Sequence, residues 1–131
     1  MPRPGGGRKK ALLIGINYKL DGNKSMKLKG CIMDTKYMYH LLIRKFGYDP
    51  SNIVMLNEKA KSKDYYPTKA NILAAANWLV SGSSYGDSLV FMFSGHGGQK
   101  RDRTGRERDG KCETIIPLDH EYAGEILDSE L

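Results

Sequence analysis

The chain has 131 residues, enough for one domain with a buried core. Hydrophobic residues make up 40% and charged residues 27%, an ordinary globular balance, and no apolar run reaches the ~18 residues of a membrane span. The net charge of +6 is uneven: residues 1–69 carry 15 basic residues against 5 acidic ones, whereas seven carboxylates and one lysine follow from Asp109 onward. The basic residues are scattered without aromatic interleaving, so nucleic acid is not an expected partner. Cys31 and Cys112 form no Cys-x-x-Cys pair, and residues 1–10, without an apolar segment, do not read as a secretory signal. Both are expected to be free thiols in a cytoplasmic protein.

Residues 1–9, rich in Gly, Pro and basic side chains, read as a flexible leader, and residues 10–131 as a single domain. The apolar run from Lys10 to Asn17 predicts a first buried strand. A polar loop follows, and Gly30 opens a helix to Phe46 with Cys31, Thr35, Met38 and Leu42 on one stripe. Asn52–Leu56 is the second strand. Residues 57–67 read as a charged loop, with Thr68 capping a helix that stops near Gly82. Ser88–Phe93 is a third strand, whose continuous apolar character predicts burial on both faces.

This β-α-β-α-β order predicts a mostly parallel sheet with helices on both faces. With the first strand central, the ligand crevice lies between the carboxyl ends of the first and third strands. Asn17, Cys31, Asp34, Ser94 and His96 fall near it. Beyond Gly98 the pattern changes. Residues 99–111 read as a charged loop or hairpin tip, Glu113–Asp119 as a short extended piece, and 126–131 as the first turn of a helix. No further core strand is expected, so the sheet is truncated after its third strand. The apolar third strand is left as an open edge.

The chemistry centres on Ser94-Gly95-His96-Gly97-Gly98. A glycine-flanked histidine at a strand end suits a general base, although a histidine in isolation is as readily a solvated loop residue. Neither a phosphate loop nor a dinucleotide fingerprint is present, and H-E-x-x-H is missing.

Five segments, taken together, resemble a known family: Ala11–Asn17, Leu28–Asp34, the strand ending Ser94-Gly95-His96-Gly97, Asp109–Asp119, and Gly124–Asp128. They look like a metacaspase, most closely the plant type I group, over nearly the whole chain. The resemblance implies a caspase-like α/β fold. It also implies a cytosolic, calcium-dependent cysteine endopeptidase that cleaves after Arg or Lys in programmed cell death and stress responses. His96 would be the catalytic histidine, and the Gly97 backbone N–H part of the oxyanion hole. Cys31, Asp34 and Ser94 would line the pocket for the basic side chain. From the residues alone, Cys31 reads more readily as a buried helix thiol and Asp34 as an ordinary first-turn acid.

Three departures from the family pattern stand out. The family's nucleophile lies in an Asp-x-Cys-His-Ser-Gly segment on the next strand, and neither Cys31 nor Cys112 occupies that position. Cys112 stands where the family has a calcium-binding aspartate. Asp128-Ser129 replaces a pair of aspartates, which leaves Asp128 as the matching ligand. A thiol suits a hard cation poorly, so a weakened calcium site is expected. The expectation is a peptidase domain that is inactive as these 131 residues alone. Two alternatives remain open at this point: an interaction module that binds basic peptides or a full-length homologue, and a flavodoxin-like ligand-binding domain. A fragment, splice form or truncated gene model would also fit. The basic run Lys100, Arg101, Arg103, Arg106 and Arg108 is a candidate self-cleavage loop, with a solvated charged loop as the simpler reading.

Overall fold

The computed structural model describes residues 8–101 and 111–127. Strand β1 (Lys9–Gly15) runs between β2 (Ile53–Asn57) and β3 (Ser88–Ser94), and both pairings are parallel. Helix α1 (Cys31–Phe46) makes the first crossover and α2 (Lys69–Val80) the second. The order β2-β1-β3 matches the expectation of a central first strand, and it puts the two helices on opposite faces.

The side-chain alternation of β1 builds both layers. Leu12 and Ile14 point to one face, where they pack with Ile72 and Leu79 of α2. Ala11 and Leu13 point to the other, against Leu42 of α1 and Ile53 of β2. Ala11, Leu12, Leu13 and Ile14 are fully buried. Each large aliphatic side chain here contributes roughly 1.5–3 kcal/mol on burial. Thr68 caps α2 as its position suggests, its hydroxyl accepting the Asn71 N–H at 3.2 Å. Gly15 lies under the start of α1. A Cβ there would stand 2.7 Å from the Cys31 carbonyl oxygen, so this close helix–strand approach requires glycine.

Three expectations need correction. Strand β3 is not buried on both faces: Leu89 is 36% and Phe91 40% exposed. Among the described residues β3 pairs only with β1, so it is an edge strand. The expectation of no strand after the third holds for the parallel sheet alone. A second, antiparallel sheet forms from β4 (Gly97–Arg101), β5 (Lys111–Ile115) and β6 (Ile126–Leu127) in the order β4-β5-β6. Its strands are rich in Gly and charge and lack apolar alternation, so backbone pairing rather than a hydrophobic face defines them. Ile126, expected in a helical turn, is instead a fully buried strand residue that joins the α2-side core. The short helix α3 (His120–Ala123) lies between β5 and β6. Residues 1–7 of the leader, most of the basic run, and Asp128 and Ser129 lie outside the described residues.

The second sheet is fastened to the first through the chain on either side of it. The Ile116 N–H donates to the His96 carbonyl at 3.1 Å, and the Leu118 N–H to the Pro67 carbonyl at 2.9 Å. Asp119 accepts the Lys69 N–H at the start of α2 at 2.8 Å.

Candidate active site

The parallel sheet brings the carboxyl ends of β1 and β3 side by side, with Gly15 opposite Ser94. The Ile16 N–H extends this pairing by donating to the Ser94 carbonyl at 3.0 Å. β1 then runs into the loop 16–30 and β3 into Gly95-His96, and the two segments meet again where Tyr18 and Met26 contact His96.

Asp34, in the first turn of α1, reaches Ser94 at the carboxyl end of β3. Ser94 Oγ donates to Asp34 Oδ2 at 3.3 Å, and the Asp34 carboxylate is exposed. These two expected pocket residues therefore meet, and together they present a solvent-facing anionic group. Cys31 is buried at the helix start, where its backbone N–H donates to Asn17 Oδ1 at 3.0 Å. Asn17 thereby ties the end of β1 to α1. Gly97 opens β4 opposite Ile115 and is exposed. Cys112 lies in β5 opposite Lys100.

His96 is half-buried and held at three points. Its backbone N–H donates to the Tyr18 hydroxyl at 2.9 Å. Its ring packs at 43° to the Tyr18 ring, with centroids 4.8 Å apart. Its Nε2 lies 2.7 Å from the Met26 carbonyl oxygen. A carbonyl only accepts, so Nε2 carries the proton and the neutral ring keeps its basic lone pair on Nδ1. Gly95 makes room for this arrangement. A Cβ there would fall 2.9 Å from both the Phe93 ring and the Tyr18 hydroxyl.

Three residues of this site escape a reading of the sequence. Tyr18 is fully buried, and its backbone takes a left-handed conformation with φ of 57°. Its hydroxyl donates to the Ile116 carbonyl at 2.7 Å while accepting from His96. Burial pushes this phenol well above its ordinary range, so it stays a neutral donor. Glu58 sits directly after β2 and is buried, not part of a solvated loop. Its carboxylate accepts the N–H groups of Asn17, Tyr18 (3.0 Å) and Lys19 (2.7 Å). Met26 contributes a main-chain atom, so no side-chain pattern marks it. The available signal for Glu58 was its place, an acid one residue past the carboxyl end of a buried strand.

A second cluster anchors the middle of the 16–30 loop. Asp21 Oδ2 lies 2.5 Å from His120 Nε2, with the Asp21 side chain 1% exposed. The imidazole and the Asn23 N–H hold the Asp21 carboxyl below the usual carboxylate range. With Glu121, these groups bring three ligand atoms within 4.8 Å of one another. Asp21 and His120 already satisfy each other, and the cluster reads as an internal hydrogen-bonded pair.

Comparison with known proteins gives a consistent result. The family described as metacaspase, peptidase C14 domain, matches residues 9–131. The chain is 50% identical over 125 residues to Metacaspase-3 of Arabidopsis thaliana, covering 95% of this chain and 34% of that protein. It is 47% identical over 131 residues to Metacaspase-1 of the same plant, covering 100% and 35%. It is 48% identical over 125 residues to Metacaspase-1 of Schizosaccharomyces pombe, covering 95% and 29%. Among solved structures, a protein from Geobacter sulfurreducens superposes with a TM-score of 0.66 at 27% identity, covering 94% of this chain and 42% of that one. The chain thus spans about a third of the length of the curated relatives it matches. Identity at this level over nearly every residue exceeds a shared topology and sets aside the flavodoxin-like alternative.

Proposed function

Since the chain belongs to the metacaspase peptidase C14 family, we propose that residues 9–131 carry the histidine and the basic-residue pocket of a cysteine endopeptidase that cleaves after Arg or Lys. The observation that carries this reading is the pairing of His96 Nε2 with the Met26 carbonyl, at the same sheet end where Asp34 meets Ser94. The first turns the basic Nδ1 away from that carbonyl. The second offers a carboxylate to a guanidinium or ammonium.

The chemistry follows from these placements. His96 Nδ1 takes the proton of a nucleophilic thiol, and the thiolate attacks the scissile carbonyl carbon. Charge develops on the carbonyl oxygen, to which the Gly97 backbone N–H donates on this reading. The His96 imidazolium then returns its proton to the leaving amine as the C–N bond breaks, and water releases the acyl group from sulfur. The thiol is neither Cys31, which is buried under β1, nor Cys112, which the family pattern puts at a calcium-ligand position. It belongs instead to the Asp-x-Cys-His-Ser-Gly strand of the family. Substrates on this reading are peptides and proteins with an exposed Arg or Lys, and the setting is proteolysis in cell death and stress.

Calcium suits poorly the donor set that this chain offers at the family's positions, and a weakened site is the reading that the sequence supports. A Cys112 thiol and a neutral Ser129 hydroxyl stand in place of two carboxylates beside Asp128, and no step is routed through the ion. Among the described residues no helix is long and apolar enough to cross a membrane.

The pocket is tested by titrating a short arginine peptide against the chain and its Asp34→Ala variant. Loss of one charge-assisted pair weakens binding by about tenfold or more. Equal affinity for both proteins would refute the pocket.

A further inference from the structure

We infer that Glu58 and Tyr18 are positioning residues for His96, with Glu58 acting on the histidine not by contact but through Tyr18 and the loop it fastens. The inference rests on the reading of His96 as the functional histidine, but it is argued from geometry alone.

Tyr18 is the one described non-glycine residue with a positive φ. For an L-residue this conformation is strained and persists only where the surroundings impose it. The imposing group is Glu58. The parallel register sets Asn57 opposite Gly15, so the next side chain on β2 lies beside the residues that leave β1. Its two carboxylate oxygens collect three consecutive N–H groups, those of Asn17, Tyr18 and Lys19. Such a run of amides converging on one anion forms a backbone nest. The nest turns the chain sharply and drives the Tyr18 side chain inward.

The Tyr18 hydroxyl is then used at both of its functions. It donates to the Ile116 carbonyl at 2.7 Å and accepts the His96 N–H at 2.9 Å. One oxygen thus joins the segment after β5 to the backbone of the histidine, while the phenol ring lies against the imidazole. No phenylalanine reproduces this, and no neutral amide reproduces Glu58. A glutamine carbonyl serves only one of the two oxygen positions, and its NH2 would face a backbone N–H at the other.

The test is made on the folded chain with Glu58→Gln and Tyr18→Phe, read by NMR at His96. Imidazole nitrogen shifts report the tautomer, and amide hydrogen exchange reports the His96 N–H, with the core amides of Leu13 and Met92 as internal references. In the parent chain the ring is the Nε2–H tautomer and the His96 amide is protected. In both variants the tautomers mix, and the His96 amide exchanges at least about tenfold faster relative to the references. The response to Glu58→Gln is decisive, because Glu58 does not touch His96. If both variants melt at lower temperature while tautomer and relative exchange stay as in the parent, the role is merely structural and the inference fails. If Tyr18→Phe alone shifts them, Glu58 is removed from it. Neither result depends on whether the protein cleaves peptides, so this inference and the peptidase reading fail separately.

Discussion

The Nε2 atom of His96 lies 2.7 Å from the carbonyl oxygen of Met26, a residue 70 positions earlier in the chain. The bond matters because it selects one of two tautomers and so decides which nitrogen is basic. It also makes the histidine depend on a loop. Residues 16–30 are held by Glu58 at their start, by the Asp21–His120 pair in the middle and by His96 itself near the end. Disturbance at any of these fastenings is expected to reach the imidazole.

Gly95→Ala should displace His96 without disturbing the parallel sheet. The added methyl meets the Phe93 ring and the Tyr18 hydroxyl, both at 2.9 Å, in a packed setting. Overpacking of this kind costs about 1–3 kcal/mol. The expected outcome in denaturant melts is a loss of that size, together with a changed His96 ring signal. A variant with parent stability and an unchanged ring signal would show that the loop has slack.

Acid should loosen the Asp21 fastening. Its carboxyl is held below the ordinary range first by the His120 side chain and then by the Asn23 N–H. A depressed carboxyl contributes stability that is complete above its unfolded pKa of about 3.9 and is lost as pH falls through the lower folded value. Asp49, lowered by Ser51, and Asp87, lowered by Ser84 and Arg8, add slopes of the same sign. His120→Ala removes only the Asp21 part. The expected result is a shallower fall in melting temperature below about pH 4 than in the parent chain. Parallel curves would mean that the pair adds nothing.

Residues 1–131, purified alone, should not cleave Arg or Lys peptides, because neither Cys31 nor Cys112 is the proposed nucleophile. Fluorogenic peptide assays check this. Cleavage that disappears with His96→Ala would force one of the two thiols into that role.

What could be read from the sequence tracks what hydrophobic burial dictates. β1, β2 and both long helices announce themselves by apolar runs or periodicity, and Thr68 by its capping chemistry. Asp34, Ser94 and His96 could be proposed because the topology draws strand ends and the first helical turn to one end of the sheet. The second sheet was not, since Gly97–Arg101 and Lys111–Ile115 pair through backbone atoms with little apolar pattern. Glu58 was hidden among charged neighbours because its partners are main-chain amides 39 to 41 residues away. Met26 was hidden because a carbonyl oxygen belongs to every residue and is selected only by the fold.

The Met26 carbonyl, 2.7 Å from Nε2, should leave the lone pair of a neutral His96 ring on Nδ1. Nitrogen-15 NMR of the His96 ring in the folded chain, titrated across the imidazole transition, measures this. The expected neutral ring is protonated at Nε2; a neutral ring protonated at Nδ1, or an even mixture of the two tautomers, would overturn the assignment.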